Sequence, residues 1–227
     1  MKAPSNEHSA IALVRVWDLP LRLWHWLFAA AVSGALYTGL SEDIALVDWH
    51  MRCGLAALAL LVWRLGWGLF GPRYARWRHV ARAFWPGPAP VSAARPAESS
   101  DASLARTRPG AMMALALPLM VAVQAGAGLF TSDFIFTDGP LVRHVSAATV
   151  DLLSAVHHRA YWLVLGLIGL HLSAHAYYAA RRDPLVLSML TGRKRAPLPP
   201  APDRLGLALV WLVVVAVASG LVARYLG

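Results

Sequence analysis

The sequence predicts an all-α integral membrane protein, a four-helix transmembrane bundle with a fifth, C-terminal transmembrane helix added to it. Three observations carry this. Of 227 residues, 58% are apolar and only 15% are charged. The apolar residues fall in long runs at 21–40, 49–70, 111–130, 156–178 and 205–222, and a helix needs about 20 such residues to cross the hydrocarbon layer. Lys and Arg gather in alternate connections, as they do where loops stay on the inner side of a membrane.

The first run is followed closely by a second and lacks a small-residue cleavage site, so it reads as a retained span and not as a signal peptide. The connection 41–48 carries Glu42, Asp43 and Asp48. After the second run come Arg73, Arg76, Arg78, Arg82, Arg95, Arg106 and Arg108. Residues 74–84 alternate arginines with aromatic residues as interfacial segments do, and 85–109, rich in Pro, Ala and Ser, reads as a linker over the cytoplasmic face. The connection 131–151 holds Asp133, Asp138 and Asp151 against Arg143. After the fourth run come Arg181, Arg182, Arg193, Lys194, Arg195 and Arg204. The N-terminus is therefore expected in the cytoplasm and the C-terminus outside. The net charge of +9 follows from this topology, and no nucleic-acid motif accompanies it, so the expected partner is lipid and not nucleic acid. The Pro-rich stretch 197–202 divides the chain into a bundle, 1–195, and a linker with an added helix, 196–227. No internal repeat is present.

Four histidines lie inside this frame: His25 early in the first span, His50 early in the second, His157 and His171 in the fourth. His157 and His171 are fourteen residues apart, which returns them to nearly the same helix face at depths about 21 Å apart. Spans one and four run in opposite directions, as do spans two and one. His50 therefore meets His157 at the outer level and His25 meets His171 at the inner level. A lone intramembrane histidine more often hydrogen-bonds or handles protons than ligates a metal. Four at matching depths, none left over, equally suit two haems, each clamped between imidazoles from different helices. With both axial positions filled by protein, such an iron transfers electrons and binds no substrate. Gly34, Gly39, Gly54, Gly126, Gly128, Gly166 and Gly169 leave room beside such a group, or simply serve close helix packing. Cys53 is the only cysteine, which excludes covalent haem attachment and an iron–sulfur cluster, so any haem is of the non-covalent b type.

The segment Val16-Trp17-Asp18-Leu19-Pro20-Leu21-Arg22-Leu23-Trp24-His25-Trp26 resembles the start of the first helix in the bacterial cytochrome b561 family, which includes the b-type subunits of nickel-iron hydrogenases. His50 followed by Gly54, the run from Arg64 to Trp77, Gly128-Leu129-Phe130, Gly139-Pro140-Leu141, the spacing of His157 and His171, and Thr191-Gly192-Arg193-Lys194 continue the match in order over residues 14–195.

The resemblance implies two b haems in a four-helix bundle of the bacterial inner membrane, with His25, His50, His157 and His171 as axial ligands. It also implies electron transfer between a membrane quinone and a periplasmic redox partner such as a hydrogenase, a dehydrogenase or a c-type cytochrome. His158 stands beside His157 but points roughly 140° away from His171, so His157 is preferred. His175, one turn past His171, is a candidate for proton delivery to a quinone or for a bond to a haem propionate. Arg15 and Arg22 suit the propionates by charge. His8, His79 and His144 carry no expected role. Two other readings stay in play: a free-standing superoxide:quinone oxidoreductase of the same family, and a haem-free transporter or proton channel.

Overall fold

The computed structural model describes residues 12–82 apart from 42, residue 84, residues 108–182 apart from 134 and 136, and residues 185–196 and 202–226. Most of the stretches read as linkers, 85–109 and 197–202, lie outside the described residues. The elements in chain order are β1 (Ala12–Arg15), α1 (Leu19–Leu40), α2 (Val47–Phe70), α3 (Trp77–Ala81), α4 (Arg108–Gly128), α5 (Ala147–Ala180), α6 (Leu185–Thr191), β2 (Arg193–Ala196) and α7 (Leu205–Leu226).

Among the described residues, three helical stretches are long and apolar enough to cross a membrane, Ile44–Phe70, Arg108–Gly128 and Ala147–Ala180, and Leu205–Leu221 is a shorter apolar helix. The expected five spans are thus met by length and apolarity in three. Helix α1 forms over 22 residues, but Arg22, His25, Thr38 and its amphipathic aromatics Trp24, Trp26 and Tyr37 dilute its hydropathy. Helix α5 is longer than its apolar run. Ser146 caps it by accepting from the Thr149 amide at 3.4 Å, and nothing in 147–155 breaks it. Its 34 residues span about 51 Å, well beyond the ~30 Å hydrocarbon layer.

Helices α1 and α2 form an antiparallel hairpin. The Trp24 indole donates to the Leu60 carbonyl at 2.8 Å, and further along His50 Nδ1 bonds the Ala35 carbonyl at 2.8 Å. Helices α4 and α5 form a second hairpin, joined by Gln124 Nε2 to the His157 carbonyl at 2.9 Å and by the Ser132 amide to Ser154 Oγ at 3.3 Å. The hairpins meet where α2 packs on α4, whereas α5 has no extended backbone packing against α1 or α2. Between them Leu21, Trp24, Phe28, Val32, Leu61 and Val164 are buried in one apolar core.

One end of the bundle is basic and heavily clasped. Strands β1 and β2 pair antiparallel, Ala12 with Ala196 through Arg15 with Arg193. Gly192 makes the turn into β2 at φ +77, where a side chain is strained, and its carbonyl accepts from the amides of Val16 and Trp17 at 2.9 and 3.0 Å. Arg15 pairs with Asp203, Arg204 donates to the Phe70 carbonyl at 3.2 Å, and the Trp67 indole donates to Asp18 at 2.9 Å. Burial raises the Asp18 carboxyl above its ordinary 3.8. Helix α7 docks on α2 through Trp211, whose indole reaches the Trp63 carbonyl at 2.9 Å in the room left by Gly66. Arg64 is a charge buried within α2, 4% exposed. It donates to the Ala75 carbonyl at 3.1 Å and stacks on the Trp77 ring at 4.0 Å, which spares the charge the cost of unpaired burial.

At the other end the acidic residues organise loops. Asp43 accepts from the Ala45 amide at 2.9 Å, and Asp133 accepts from the amides of Ile135 and Thr137 at 2.9 and 2.8 Å, the local bonding that favours Asp in turns.

His79 departs from its expected lack of role. It is 5% exposed and edge-on to the Tyr74 ring at 5.8 Å. Burial, and then Arg73, Arg82, Arg78 and Arg76, push its pKa down from 6.5 to about 4. The unfolded chain binds this proton below 6.5 while the folded chain resists it to about 4. Stability is therefore full above that window and is lost as pH falls through it. His79→Phe, which keeps the contact with Tyr74, is expected to flatten the fall in melting temperature between those pH values.

Candidate functional site

The α1–α2 hairpin and α5 hold two pairs of histidines. His25 on α1 faces His171 on α5 with ring centres 6.4 Å apart. His50 on α2 faces His157 on α5 with ring centres 5.9 Å apart and planes at 81°. The pairs sit toward opposite ends of the bundle: His25 lies one turn beyond Arg22 at the basic end, and His50 lies one turn into α2 behind the loop of Asp43. All four imidazoles are half-buried. His158 is exposed, its ring 5.9 Å from that of His157. His175 packs edge-on to His171 at 4.5 Å, and its Nδ1 is buried without a hydrogen bond among the described residues.

The pair near the acidic end is held on all sides. His50 Nδ1 donates to the Ala35 carbonyl and His157 Nδ1 donates to the Gln124 carbonyl, each at 2.8 Å. With Nδ1 carrying the hydrogen, Nε2 of each ring keeps its lone pair for a metal. Gly39 and Gly128 form the floors. A Cβ on Gly39 would fall 2.7 Å from His50 Cε1, and one on Gly128 would fall 2.8 Å from His157 Cε1. The other glycines divide: Gly34 makes room for Cys53 Sγ, and a Cβ on Gly54, Gly126, Gly166 or Gly169 would meet nothing within 4 Å.

These residues fit b haem. Two imidazoles each about 2 Å from one iron, the bond length imidazole makes to zinc, have ring centres roughly 6 Å apart. Among the described residues no three His, Cys, Asp or Glu side chains are grouped to hold a bare metal ion. Paired imidazoles suit an iron whose other four ligands come from a macrocycle. For the propionates, Arg15 is engaged by Asp203. Arg22 donates Nη1 to the Leu190 carbonyl and keeps a buried Nε without a partner among the described residues, so it is the better placed of the two.

Gln124 went unnoticed in the sequence. Its side chain clamps the His157 carbonyl at 2.9 Å, and its backbone orients the His157 ring. The signal was there: it is an amide alone in the apolar run 111–130, and polar groups within a membrane span are costly and tend to mark function.

No curated relative and no solved structure matches the chain. Residues 16–192, most of the chain and both histidine pairs, match the family described as prokaryotic cytochrome b561. The family is one of membrane b-type cytochromes in electron transfer, and haem binding comes with it. The chain belongs to the prokaryotic cytochrome b561 family.

Proposed function

We propose that the protein is a dihaem cytochrome b of the bacterial inner membrane that passes electrons between a periplasmic redox protein and the quinone pool. The observation that carries this is the meeting of imidazoles from different helices in two pairs, with ring centres 5.9 and 6.4 Å apart. Residues 1–195 form the haem-binding bundle and 196–227 an added helix. The basic end, by the distribution of Lys and Arg, faces the cytoplasm. His50 and His157 then hold the outer haem and His25 and His171 the inner one. Iron with two imidazole ligands supplies reversible one-electron chemistry and no open coordination site.

The chain's own contribution is ligation, spacing and insulation. Phe28, Val32 and Val164, all buried, fill the level between the pairs, and Val164 lies midway between His157 and His171. The loop between α4 and α5 and the start of α2 present the outer pair to a hydrogenase, a dehydrogenase or a c-type cytochrome. His175 stands beside the inner pair, where a quinone that takes up two electrons needs two protons.

The purified protein is expected to show a Soret band and α bands that appear on reduction, with about two haems per chain, and a quinol is expected to reduce them. Protein that folds in detergent without a Soret band overturns the reading in favour of a haem-free transporter.

A further inference from the structure

The two histidine pairs are not built alike. At the outer pair both ligands donate Nδ1–H to a main-chain carbonyl, His50 to Ala35 and His157 to Gln124, each at 2.8 Å. Gln124 also ties its neighbour helix in place through Nε2 to the His157 carbonyl at 2.9 Å. Its Nε2 lies 3.2 Å from His157 Nδ1 as well, but a protonated Nδ1 has no lone pair to offer, so the carbonyl bond is the one that holds. At the inner pair, His25 Nδ1 is buried with no hydrogen-bond partner among the described residues.

This difference has an electronic consequence. An N–H donated to a carbonyl pushes electron density through the ring and makes the far nitrogen a stronger ligand. A stronger donor favours the ferric ion over the ferrous and lowers the reduction potential. Fixed charge acts in the same sense. The inner pair sits at the end that carries Arg15, Arg22, Arg64, Arg193 and Lys194 against Asp18 and Asp203. At the outer end Asp43, Asp48, Asp133, Asp138 and Asp151 outnumber Arg52, Arg143 and Arg159.

We propose that Gln124 and Ala35 are positioning residues that hold the outer site at the lower reduction potential of the two, so that a single electron shared between the sites rests at the inner, His25/His171 end. With haem held by each pair, the exchange would move one electron from the His50/His157 site to the His25/His171 site, with no bond made or broken and no proton taken up. The proposal rests on the dihaem reading above.

The test is a redox titration of the detergent-solubilised holoprotein, followed at the α bands. Wild type gives two midpoint potentials. Gln124→Leu keeps the main-chain carbonyl but removes the Nε2 bond to the His157 carbonyl that holds the His157 ring in register with it; it raises the lower potential, leaves the higher one in place and shifts the low-field EPR signal of a single ferric haem. A rise in the higher potential, a fall in the lower one, or no movement in either overturns the proposal. Should Gln124→Leu bind less haem, Gln124→Met keeps the side-chain length and is read the same way. Independently, the haem left in His25→Ala must titrate at the lower wild-type potential, and titration at the higher one overturns the proposal. Wild-type protein with one haem or none refutes the dihaem reading itself, a result distinct from two haems whose potentials ignore Gln124.

Discussion

Alanine in place of His50 or His157 is expected to leave the purified protein with about half its haem, since on the proposed dihaem reading each variant would remove an imidazole from one pair while the other pair keeps both. His25→Ala and His171→Ala are expected to do the same at the opposite end. The losses separate because the pairs stand on different levels of the bundle, with Phe28, Val32 and Val164 buried between them. His158→Ala is the control. That imidazole is exposed while His50 faces His157, so its removal leaves haem content unchanged. Haem per chain, measured by the pyridine haemochrome spectrum, decides the matter. Loss of haem in His158→Ala with retention in His157→Ala would reverse the ligand assignment.

Leucine at Gly128 or Gly39 is expected to empty the outer site without touching its ligands. The new Cβ would stand 2.8 Å from His157 Cε1 or 2.7 Å from His50 Cε1, far inside ordinary contact. The ring cannot drift aside without breaking its 2.8 Å bond to the Gln124 or Ala35 carbonyl. Disturbing such supporting contacts typically weakens metal binding about 10- to 100-fold. Haem lost during dilution or gel filtration, with the inner haem retained, is the expected readout. Gly126→Ala and Gly169→Ala, where a Cβ meets nothing within 4 Å, are expected to keep both haems. Equal haem retention in Gly128→Leu and wild type would refute the cradle.

The histidines and the glycines differ in how far the sequence reveals them. His25, His50, His157 and His171 could be placed from sequence because helical periodicity and alternating topology together constrain depth and face. Gly39 and Gly128 stood among seven equivalent glycines, and nothing in the sequence separates a glycine under an imidazole from one facing open surroundings. The roles of Gln124 and His79 are illegible in the sequence for another reason. Each takes its importance from a neighbour distant in the chain, His157 for the first and the Tyr74 ring with its surrounding arginines for the second. Arg15 shows the same dependence: its charge suits a propionate, and the structure pairs it with Asp203, 188 residues away.

By itself the sequence determined the helical membrane class, the two levels at which histidines meet, the non-covalent haem type and the family. The class and the levels rest on properties summed along the chain, apolar length, charge distribution and helical spacing, the haem type on the single cysteine, and the family on the resemblance of its motifs; none of these needs knowledge of a contact. Only the tertiary structure decided which glycines form floors, that α2 packs on α4 while α5 meets α1 and α2 through side chains, and that one pair of imidazoles is tied to carbonyls while the buried Nδ1 of His25 is not. Those depend on the register of one helix against another. A slide of a single turn, about 5.4 Å, would exchange every such partner while leaving the pattern along the chain unchanged.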